Sequence, residues 1–182
     1  FKSALSCDPT SAFGGIVSCN FKLDEKTAKE INKIFFEIVL ADGFDVKALK
    51  ELKKKKNLRI IDSRSFRIKD FSNFTNNFNN LLTQSTDLKP FNLNNFKVVS
   101  KIKPSKKIMD NLVFAFNVCR FVKSNAIVIT KDFSTVGIGS GQASRVDSCR
   151  IAINKLRGQN KNCKRDELYA ASDAFFPFTD GI

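Results

Sequence analysis

Histidine and tryptophan are both absent from this chain of 182 residues. The missing histidines remove the commonest metal ligand and the usual general base at neutral pH. The 5 cysteines are odd in number and widely spaced, and no two of them form a C-x-x-C pair. This usage predicts reduced thiols in a cytoplasmic protein, with no metal site and no disulfide framework.

Long apolar stretches are also missing. No run approaches the roughly 20 residues that a helix needs to span a bilayer, and no leader sequence is recognisable. The sequence therefore predicts no association with a membrane. The chain opens on Phe1 inside an apolar–polar pattern and stops just after a motif, so we interpret it as an internal fragment of a longer protein.

Positive charge is abundant: 31 Lys and Arg residues outnumber 18 Asp and Glu residues, for a formal net charge of +13. One reading is a basic nucleic-acid-binding module without catalysis, in which basic and aromatic residues would converge on one surface. The lysines are scattered, however, and the one dense run, Lys53 to Lys56, ends a predicted helix, where cations interact well with the helix dipole. Small anionic substrates would suit the same charge.

Apolar periodicity and turn signals predict helices that alternate with strands. Strands are expected at 16–19, 57–61, 97–100, 126–130 and 135–138, and helices at 24–40, 45–55, 105–122 and 144–156, with Gly158 just past the last helix. Residues 63–95 give no clear pattern and are expected to form a variable excursion. The alternation predicts an α/β fold with a layered sheet, and the short turn at 131–134 requires one antiparallel pair, so the sheet should be mixed.

A glycine-rich loop, GIGSG at 137–141, follows a strand and precedes a helix. Glycines permit positive φ and close approach of the backbone to a ligand. The helix that follows presents free N–H groups, and Arg145 adds a planar donor fork suited to an anion. The loop lacks the lysine of a P-loop, and Ser144 replaces the third glycine of a dinucleotide fingerprint. A ligand-binding loop and a tight structural turn both remain open.

Three further motifs have a structural and a functional reading. Asn125, in KSN at 123–125, could end a helix in the left-handed conformation, or the adjacent hairpin could place it near the glycine loop. The segment SDAFFPFTDG at 172–181 holds three Phe and a Pro, so it should be a buried plug or the wall of a pocket for a heterocycle, with Asp180 as acceptor. The segment DPTSAFGG at 8–15 is expected to be a structural turn.

Glu37 stands out because it lies on the mostly apolar helix predicted at 24–40. A carboxylate on the buried side of such a helix should be paired or functional, whereas one at the edge of the helix needs no such role.

Taken in order, five motifs resemble one family: DPTSAFGGIVSCN, FFEIVLA followed by KKKKNLR, FVKSNAIV, TVGIGSGQASRVDSCRIA and SDAFFPFTDG. They resemble the formyltransferase part of the AICAR transformylase/IMP cyclohydrolase family, over nearly the whole chain and most weakly at 63–95. The resemblance implies a duplicated, cytidine-deaminase-like fold without zinc. Residues 1–182 would then be a partial transformylase region, with 1–100 in a first subdomain and 101–182 in a second.

The resemblance also implies an activity. The family transfers a formyl group from the co-substrate 10-formyltetrahydrofolate to the amino group of 5-aminoimidazole-4-carboxamide ribonucleotide (AICAR) in purine biosynthesis. A separate domain closes the ring to give IMP. The enzyme is expected to be a homodimer with active sites at the subunit interface, and neither nucleic acid nor a membrane is an expected partner.

Site residues carry over from the resemblance one by one. AICAR would be bound by Gly14, Glu37, Asn125, Arg145 and Phe175, and the folate by Val146 and Asp180. Thr179 stands where the family usually has Arg. The family's general-base His and its stabilising Lys would lie upstream of the DPTSAFGG motif. We therefore expect positioning groups but no catalytic residue here, and no activity from these residues alone.

Overall fold

The computed structural model of the chain describes residues 1–65, 72–86, 93–159 and 167–179. The helices are α1 Lys2–Leu5, α2 Glu25–Ile31, α3 Val46–Leu52, α4 Lys106–Cys119 and α5 Arg145–Gln159. The strands are β1 Gly15–Cys19, β2 Phe36–Ala41, β3 Arg59–Asp62, β4 Ser72–Asn77, β5 Asn80–Ser85, β6 Ile127–Lys131, β7 Ser134–Gly139 and β8 Tyr169–Ser172. Short 3-10 turns occupy Ser63–Ser65 and Leu93–Asn95. The predicted α/β class is confirmed.

The chain divides into two compact units. The first comprises Phe1–Gly15, Glu30–Phe36 and the described residues of Ser100–Ile182, and the second comprises Ile16–Lys29 and the described residues of Glu37–Val99. The parallel and antiparallel strand pairs lie in separate sheets rather than in one mixed sheet.

In the second unit, strands β1, β2 and β3 form a three-stranded sheet with β2 in the centre. β2 and β3 are parallel, with Leu40 opposite Ile61. The predicted helix at 24–40 is therefore wrong beyond α2, because the FFEIVLA segment forms strand β2. Val39 and Ala41 are fully buried. A short apolar run that lies between two other strands suits helix and strand periods equally, and only its pairing decides.

The region predicted to be irregular contains a hairpin. β4 and β5 pair antiparallel, with Phe74 opposite Thr83, and Phe78 at the turn has a positive φ of 54°. The strand predicted at 97–100 is wrong: this segment has no regular structure, and Val99 is 88% exposed. An apolar pair of this kind forms a strand only where a neighbouring edge accepts it.

In the first unit, β6 lies between β7 and β8 and is antiparallel to both. Helices α4 and α5 pack on this sheet. Because side chains alternate along a strand, β6 packs apolar side chains against both helices, one helix on each face of the sheet. Ile127 and Ile129 pack with Cys149 and Ala152 of α5. On the other face, Ala126 and Val128 pack with Cys119 of α4. The result is a three-layer arrangement of helix, sheet and helix.

The strands predicted at 126–130 and 135–138 are confirmed as β6 and β7. Asp132 and Phe133 form the two-residue turn between them, both with positive φ, which is the type I′ geometry that usually takes Asn and Gly. The buried Asn111 of α4 accepts a hydrogen bond from the Phe133 N–H at 3.3 Å, and Phe114 packs edge-on against the Phe133 ring. These contacts hold a turn that its own residues favour little.

The helices flanking this sheet follow the predictions closely. Ser105 caps α4 by accepting a hydrogen bond from the Ile108 N–H at 3.4 Å. α5 extends three residues further than the sequence predicts, so Gly158 lies inside the helix instead of beyond it. Strand β8 was not predicted, because the segment Tyr169–Ser172 lacks the alternation that marks a half-buried strand.

Two glycines allow α5 to lie close to β7. A Cβ on Gly139 would stand 1.9 Å from the carbonyl oxygen of Ser148, and one on Gly137 would stand 2.2 Å from that of Ala152. Neither distance leaves room for a methyl group. These glycines of the GIGSG loop therefore serve strand–helix packing, and Gly141, with φ of +68°, makes the turn.

We predict that Gly139→Ala lowers the free energy of unfolding by roughly 1–3 kcal/mol, because α5 must move away from β7. Gly158→Ala is the matched control. A Cβ added to Gly158 would meet nothing within 4 Å. Because Gly158 lies in the last turn of α5, alanine there should leave stability unchanged or raise it by less than about 1 kcal/mol. Denaturant unfolding of both variants checks this, and equal effects from the two substitutions would contradict the packing role of Gly139.

Candidate functional site

The candidate site is centred on Arg145, the first residue of α5. Its Nη1 donates to the Ser172 hydroxyl at 2.8 Å and to the Asp173 carboxylate, and its Nη2 donates to Asn125 Oδ1 at 2.8 Å. The side chain is only 14% exposed. The planar guanidinium thus joins three segments that are distant in the sequence.

Asn125 connects this arginine to the loop before α5. Its side-chain Nδ2 donates to the carbonyl oxygens of Gln142 and Ala143, both at 3.0 Å, and its own carbonyl accepts from the Ser148 hydroxyl at 2.7 Å. The prediction that the hairpin brings Asn125 near the glycine loop is confirmed. The alternative left-handed conformation is wrong, since Asn125 is not among the non-glycine residues of positive φ in the described ranges.

The glycine loop is fixed to the same segment. The Gly141 N–H donates to the Lys123 carbonyl at 2.8 Å, and the Ser140 hydroxyl donates to that oxygen at 3.3 Å. The structural reading of the loop is therefore supported by contacts, and its role toward a ligand stays a prediction.

Asp173 lies immediately after β8 and has a side chain that is 19% exposed. Its carboxylate accepts from Arg145 and from the Ala126 N–H, the latter at 3.1 Å. Burial by itself raises the pKa of Asp173, but hydrogen bonds from Ser124, Arg145 and Ala126 outweigh it and lower the pKa from 3.8 to about 2. The carboxylate is therefore ionised at any physiological pH.

Cys119 lies under this cluster, on the α4 side of the sheet. Burial raises the pKa of the Cys119 thiol to about 11, and the negative charge of Asp173 adds to the shift. The thiol is therefore protonated at neutral pH and is not an activated nucleophile.

The phenylalanine loop is only partly buried. Phe175 is 80% exposed and Phe178 is 73% exposed, so the buried plug expected from the sequence is wrong for two of the three rings. Only Phe176 packs against the α5 side of the core, where its ring centroid lies 6.0 Å from Arg145 Cζ. It also lines an apolar cavity of about 310 Å³ between α5 and strands β6 and β8. Local sequence cannot tell which ring of such a loop reaches the core.

The DPTSAFGG motif makes a structural contact with α5. Asp8 accepts from the Ser11 N–H at 3.0 Å and from Lys155 Nζ at 2.7 Å. The hydrogen bond from Lys155, followed by that from the Ser11 backbone, lowers the pKa of Asp8 to about 2. Gly14 lies in the same motif with φ of +72°, and its N–H donates to the Phe35 carbonyl at 2.9 Å.

The remaining site residues expected from the sequence lie elsewhere. Glu37 is on strand β2 of the other compact unit, not on a helix, and its half-exposed carboxylate pairs with Arg59 at 2.7 Å. Val146 is the second residue of α5 and is half-buried. Asp180 lies outside the described residues. The structure therefore joins Asn125 to Arg145 directly. Val146 follows Arg145 in α5, and Phe175 lies two residues after Asp173, the ion-pair partner of Arg145.

Sequence reasoning missed Ser172 and Asp173 as partners of Arg145. The only available signal was the pair of polar residues directly before the apolar AFFPF run, which indicates no more than a capping carboxylate. Residues far apart in sequence become partners through the pairing of β8 with β6, and that pairing was not predicted.

Metal ligands do not gather anywhere in the described residues. Within 1–65, 72–86, 93–159 and 167–179, no cluster of three or more His, Cys, Asp or Glu side chains could hold a metal ion. Over the same ranges, no helix is long and apolar enough to cross a membrane.

The fold and the site define an α/β protein whose polar centre links a helix N-terminus, a hairpin and an aromatic loop. The chain belongs to the AICARFT/IMPCHase bienzyme family, whose family model matches residues 1–155. This confirms the resemblance found in the sequence.

Individual relatives agree with the family. The chain is 48% identical over 176 residues to the bifunctional purine biosynthesis protein PurH of Clostridium kluyveri, covering 97% of this chain and 33% of the relative. It is 41% identical over 182 residues to that of Chlorobium phaeobacteroides, covering 100% and 34%. It is 43% identical over 186 residues to that of Aquifex aeolicus, covering 100% and 35%. The chain thus spans about a third of the length of these relatives.

We predict that Asp173→Asn lowers the free energy of unfolding by about 1 kcal/mol above pH 4, a value reduced by solvent screening of the partly exposed carboxylate. Because the pKa of Asp173 is depressed on folding, its stabilisation is present above the ordinary value of 3.8 and is lost as the pH falls through about 2. The wild-type and variant curves should therefore converge between pH 4 and pH 2 in denaturant titrations. A constant difference across that range would contradict this assignment.

Proposed function

We propose that this chain belongs to the formyltransferase portion of a bifunctional purine-biosynthesis protein. It would help transfer the formyl group of 10-formyltetrahydrofolate to the amino group of AICAR, and the complete protein would also carry IMP cyclohydrolase activity. The observation that carries the proposal is the hydrogen-bonded contact of Arg145 with Asn125 at 2.8 Å, in a chain of the AICARFT/IMPCHase bienzyme family.

Arg145 and Asn125 are the proposed polar contacts to AICAR. An arginine side chain has five N–H donors, and three of them are used by the bonds to Ser172, Asp173 and Asn125. The other two can meet oxygens of the nucleotide. The Asn125 amide group is fully used as a donor by two backbone carbonyls, so its contribution to a ligand would be the second lone pair of Oδ1.

The other assignments follow the family resemblance. The exposed ring of Phe175 would stack on the imidazole ring of AICAR, since aromatic faces favour offset contact with flat heterocycles. Gly14 and Glu37 would contact the nucleotide, while Val146 and Asp180 would contact the folate.

Positioning is the proposed contribution of these residues to catalysis. The amino group of an aminoimidazole carboxamide is a weak nucleophile, so its attack needs removal of a proton and stabilisation of the oxyanion that develops on the formyl group. The chain contains no histidine, and we propose that the general-base His and the stabilising Lys belong to another part of the protein. Holding two reactants in contact can itself contribute several kcal/mol.

The finer features of the fold and assembly are part of the same proposal. The three-layer packing of α4, the β7-β6-β8 sheet and α5 supports a cytidine-deaminase-like, duplicated architecture. The subdomains proposed at 1–100 and 101–182 follow the family resemblance and differ from the compact units, in which Phe1–Gly15 and Glu30–Phe36 belong with the described residues from Ser100 onward. We propose a cytoplasmic homodimer that acts on small molecules, with no metal, nucleic acid or membrane involved.

Two alternatives receive less support. A dinucleotide-dependent oxidoreductase would need a βαβ crossover at the glycine loop, but β7 is the antiparallel hairpin partner of β6, so this hypothesis is wrong. A nucleic-acid-binding module would need basic and aromatic residues on one surface. Exposed phenylalanines occur in both compact units, for example Phe13 and Phe78, and no specific observation favours this function.

We predict that Asn125→Ala and Arg145→Ala, each made in the bifunctional protein, lower kcat/KM for AICAR by about 10- to 100-fold, the effect of losing a hydrogen bond that involves a charged group. Arg150→Ala is the control, because Arg150 lies on the same helix but is 72% exposed and pairs with a surface carboxylate. Formyl transfer and IMP cyclohydrolase activity are measured on the same preparations, and the latter should not change. Unaltered formyl transfer would mean that the site is wrongly assigned.

We predict that Phe175→Leu raises KM for AICAR by about 3- to 10-fold, which corresponds to one lost aromatic contact. Phe178→Leu removes a ring of similar exposure from the same loop and is the control. Steady-state kinetics with varied AICAR distinguishes the two. The stacking role of Phe175 would be refuted by equal KM values in both variants.

A further inference from the structure

We infer that Asp173 is a positioning residue for the AICAR site, acting through Arg145 rather than on the substrate itself. The inference rests on the proposed function of Asn125 and Arg145 and adds the group that holds them in place. Three features carry it: the bonds of the carboxylate, the way they orient the guanidinium, and the segments that they connect.

The carboxylate closes a small network at one edge of the sheet. Oδ1 accepts from Arg145 Nη1 and from the N–H of Ala126 at 3.1 Å, and the Asp173 N–H donates back to the Ala126 carbonyl at 3.3 Å. Ala126 is fully buried, so its N–H has no access to water. The carboxylate therefore provides the acceptor for two donors, the charged guanidinium of Arg145 and the buried N–H of Ala126.

These bonds fix the guanidinium in its plane. Nη1 is held by Asp173 and Ser172, while Nη2 is held by Asn125 at 2.8 Å. A planar guanidinium that is anchored at both of its terminal nitrogens, Nη1 and Nη2, cannot rotate about the final bonds of the side chain. Its two remaining N–H donors therefore keep one direction. Preorganisation of this kind removes the ordering cost that a mobile side chain would incur on binding.

The same network continues to the second proposed AICAR ligand. Asn125 Oδ1 accepts from Arg145, and its Nδ2 is held by the carbonyls of Gln142 and Ala143. Replacing the Asp173 carboxylate by the amide of Asn would leave Arg145 Nη1 with neutral acceptors alone, which bind a guanidinium more weakly than a carboxylate does, and would free the guanidinium to tilt. Asn125 would then lose a partner that orients its amide.

The ion pair of Arg145 with Asp173 is less exposed than a second arginine–aspartate pair on α5. Arg145 and Asp173 have side chains that are 14% and 19% exposed, whereas the Arg150–Asp147 pair of α5 is 72% and 51% exposed. Exposed pairs contribute little to structure or orientation. Asp147→Asn is therefore a matched control that removes an arginine-paired carboxylate outside the network.

The test is made in the bifunctional protein by steady-state formyl transfer with AICAR and 10-formyltetrahydrofolate varied in turn. Asp173→Asn should raise KM for AICAR by about 10-fold or more, because the tenfold step corresponds to one oriented hydrogen bond, while kcat and KM for the folate stay within about threefold. A purely structural role would reduce the active fraction, and hence kcat, with both KM values unchanged. Asp147→Asn should alter none of the three.

A double-variant comparison tests whether Asp173 acts through Arg145. In an Arg145→Ala background, Asp173→Asn should cause no further rise in KM for AICAR. An unchanged KM in Asp173→Asn, or an equally large rise in the Arg145→Ala background, would overturn the inference while the proposed function stands. If Arg145→Ala and Asn125→Ala leave transfer kinetics unaltered, the proposed function fails and the inference with it.

Asp173→Glu is measured in parallel and decides the question if Asp173→Asn does not fold. It keeps the negative charge but moves the carboxylate by one methylene, so the acceptor no longer matches Arg145 and Ala126 together. An AICAR KM raised by severalfold at near-normal kcat supports the inference. A wild-type KM in this variant overturns it.

Discussion

The close approach of α5 to β7 is the constraint on which the site depends. Gly137 and Gly139 leave no space for a Cβ against the carbonyls of Ala152 and Ser148, and this contact lets the helix lie directly on the strand. Arg145, as the first residue of that helix, is thereby placed within hydrogen-bond reach of Ser172 and Asn125. The glycines of the motif therefore affect the site through helix–strand packing. The direct polar contacts are made by Arg145, Ser172 and Asn125.

Much of this part of the fold could be predicted from sequence because its signals are local. The apolar period of α4, its start at Ser105 and the short turn at 131–134 each fall within a few residues, and each matches the structure. The proximity of Asn125 to the glycine loop follows from the hairpin, because two paired strands place the residues before the first beside those after the second. Arg145 stood out from its position at the start of the helix after the glycine loop, and the family motifs added AICAR as its expected ligand.

What could not be predicted depends on contacts between distant segments. FFEIVLA suits either a helix or a strand by composition, and its place beside β3 decides for the strand. Strand β8 carries no alternation and exists because β6 offers it an edge. The same pairing delivers Asp173 to Arg145. The burial of Phe175 and Phe176 depends on which of the two rings the turn after β8 directs toward α5. These neighbouring phenylalanines therefore differ in burial, although the local sequence does not distinguish them.

Topology explains why so many polar groups meet at one edge of the sheet. Because β6 is antiparallel to both of its neighbours, its first residue, Ile127, lies opposite Gly139 at the end of β7 and opposite Ser172 at the end of β8. The segment before β6 and the segments after β7 and β8 therefore all begin or end at the same end of the sheet. A shift of one residue in either pairing would turn Asn125 or Asp173 to the other face. The register of the β6–β7 and β6–β8 pairs, more than any single side chain, thus determines whether Arg145 can bond to Asn125, Ser172 and Asp173.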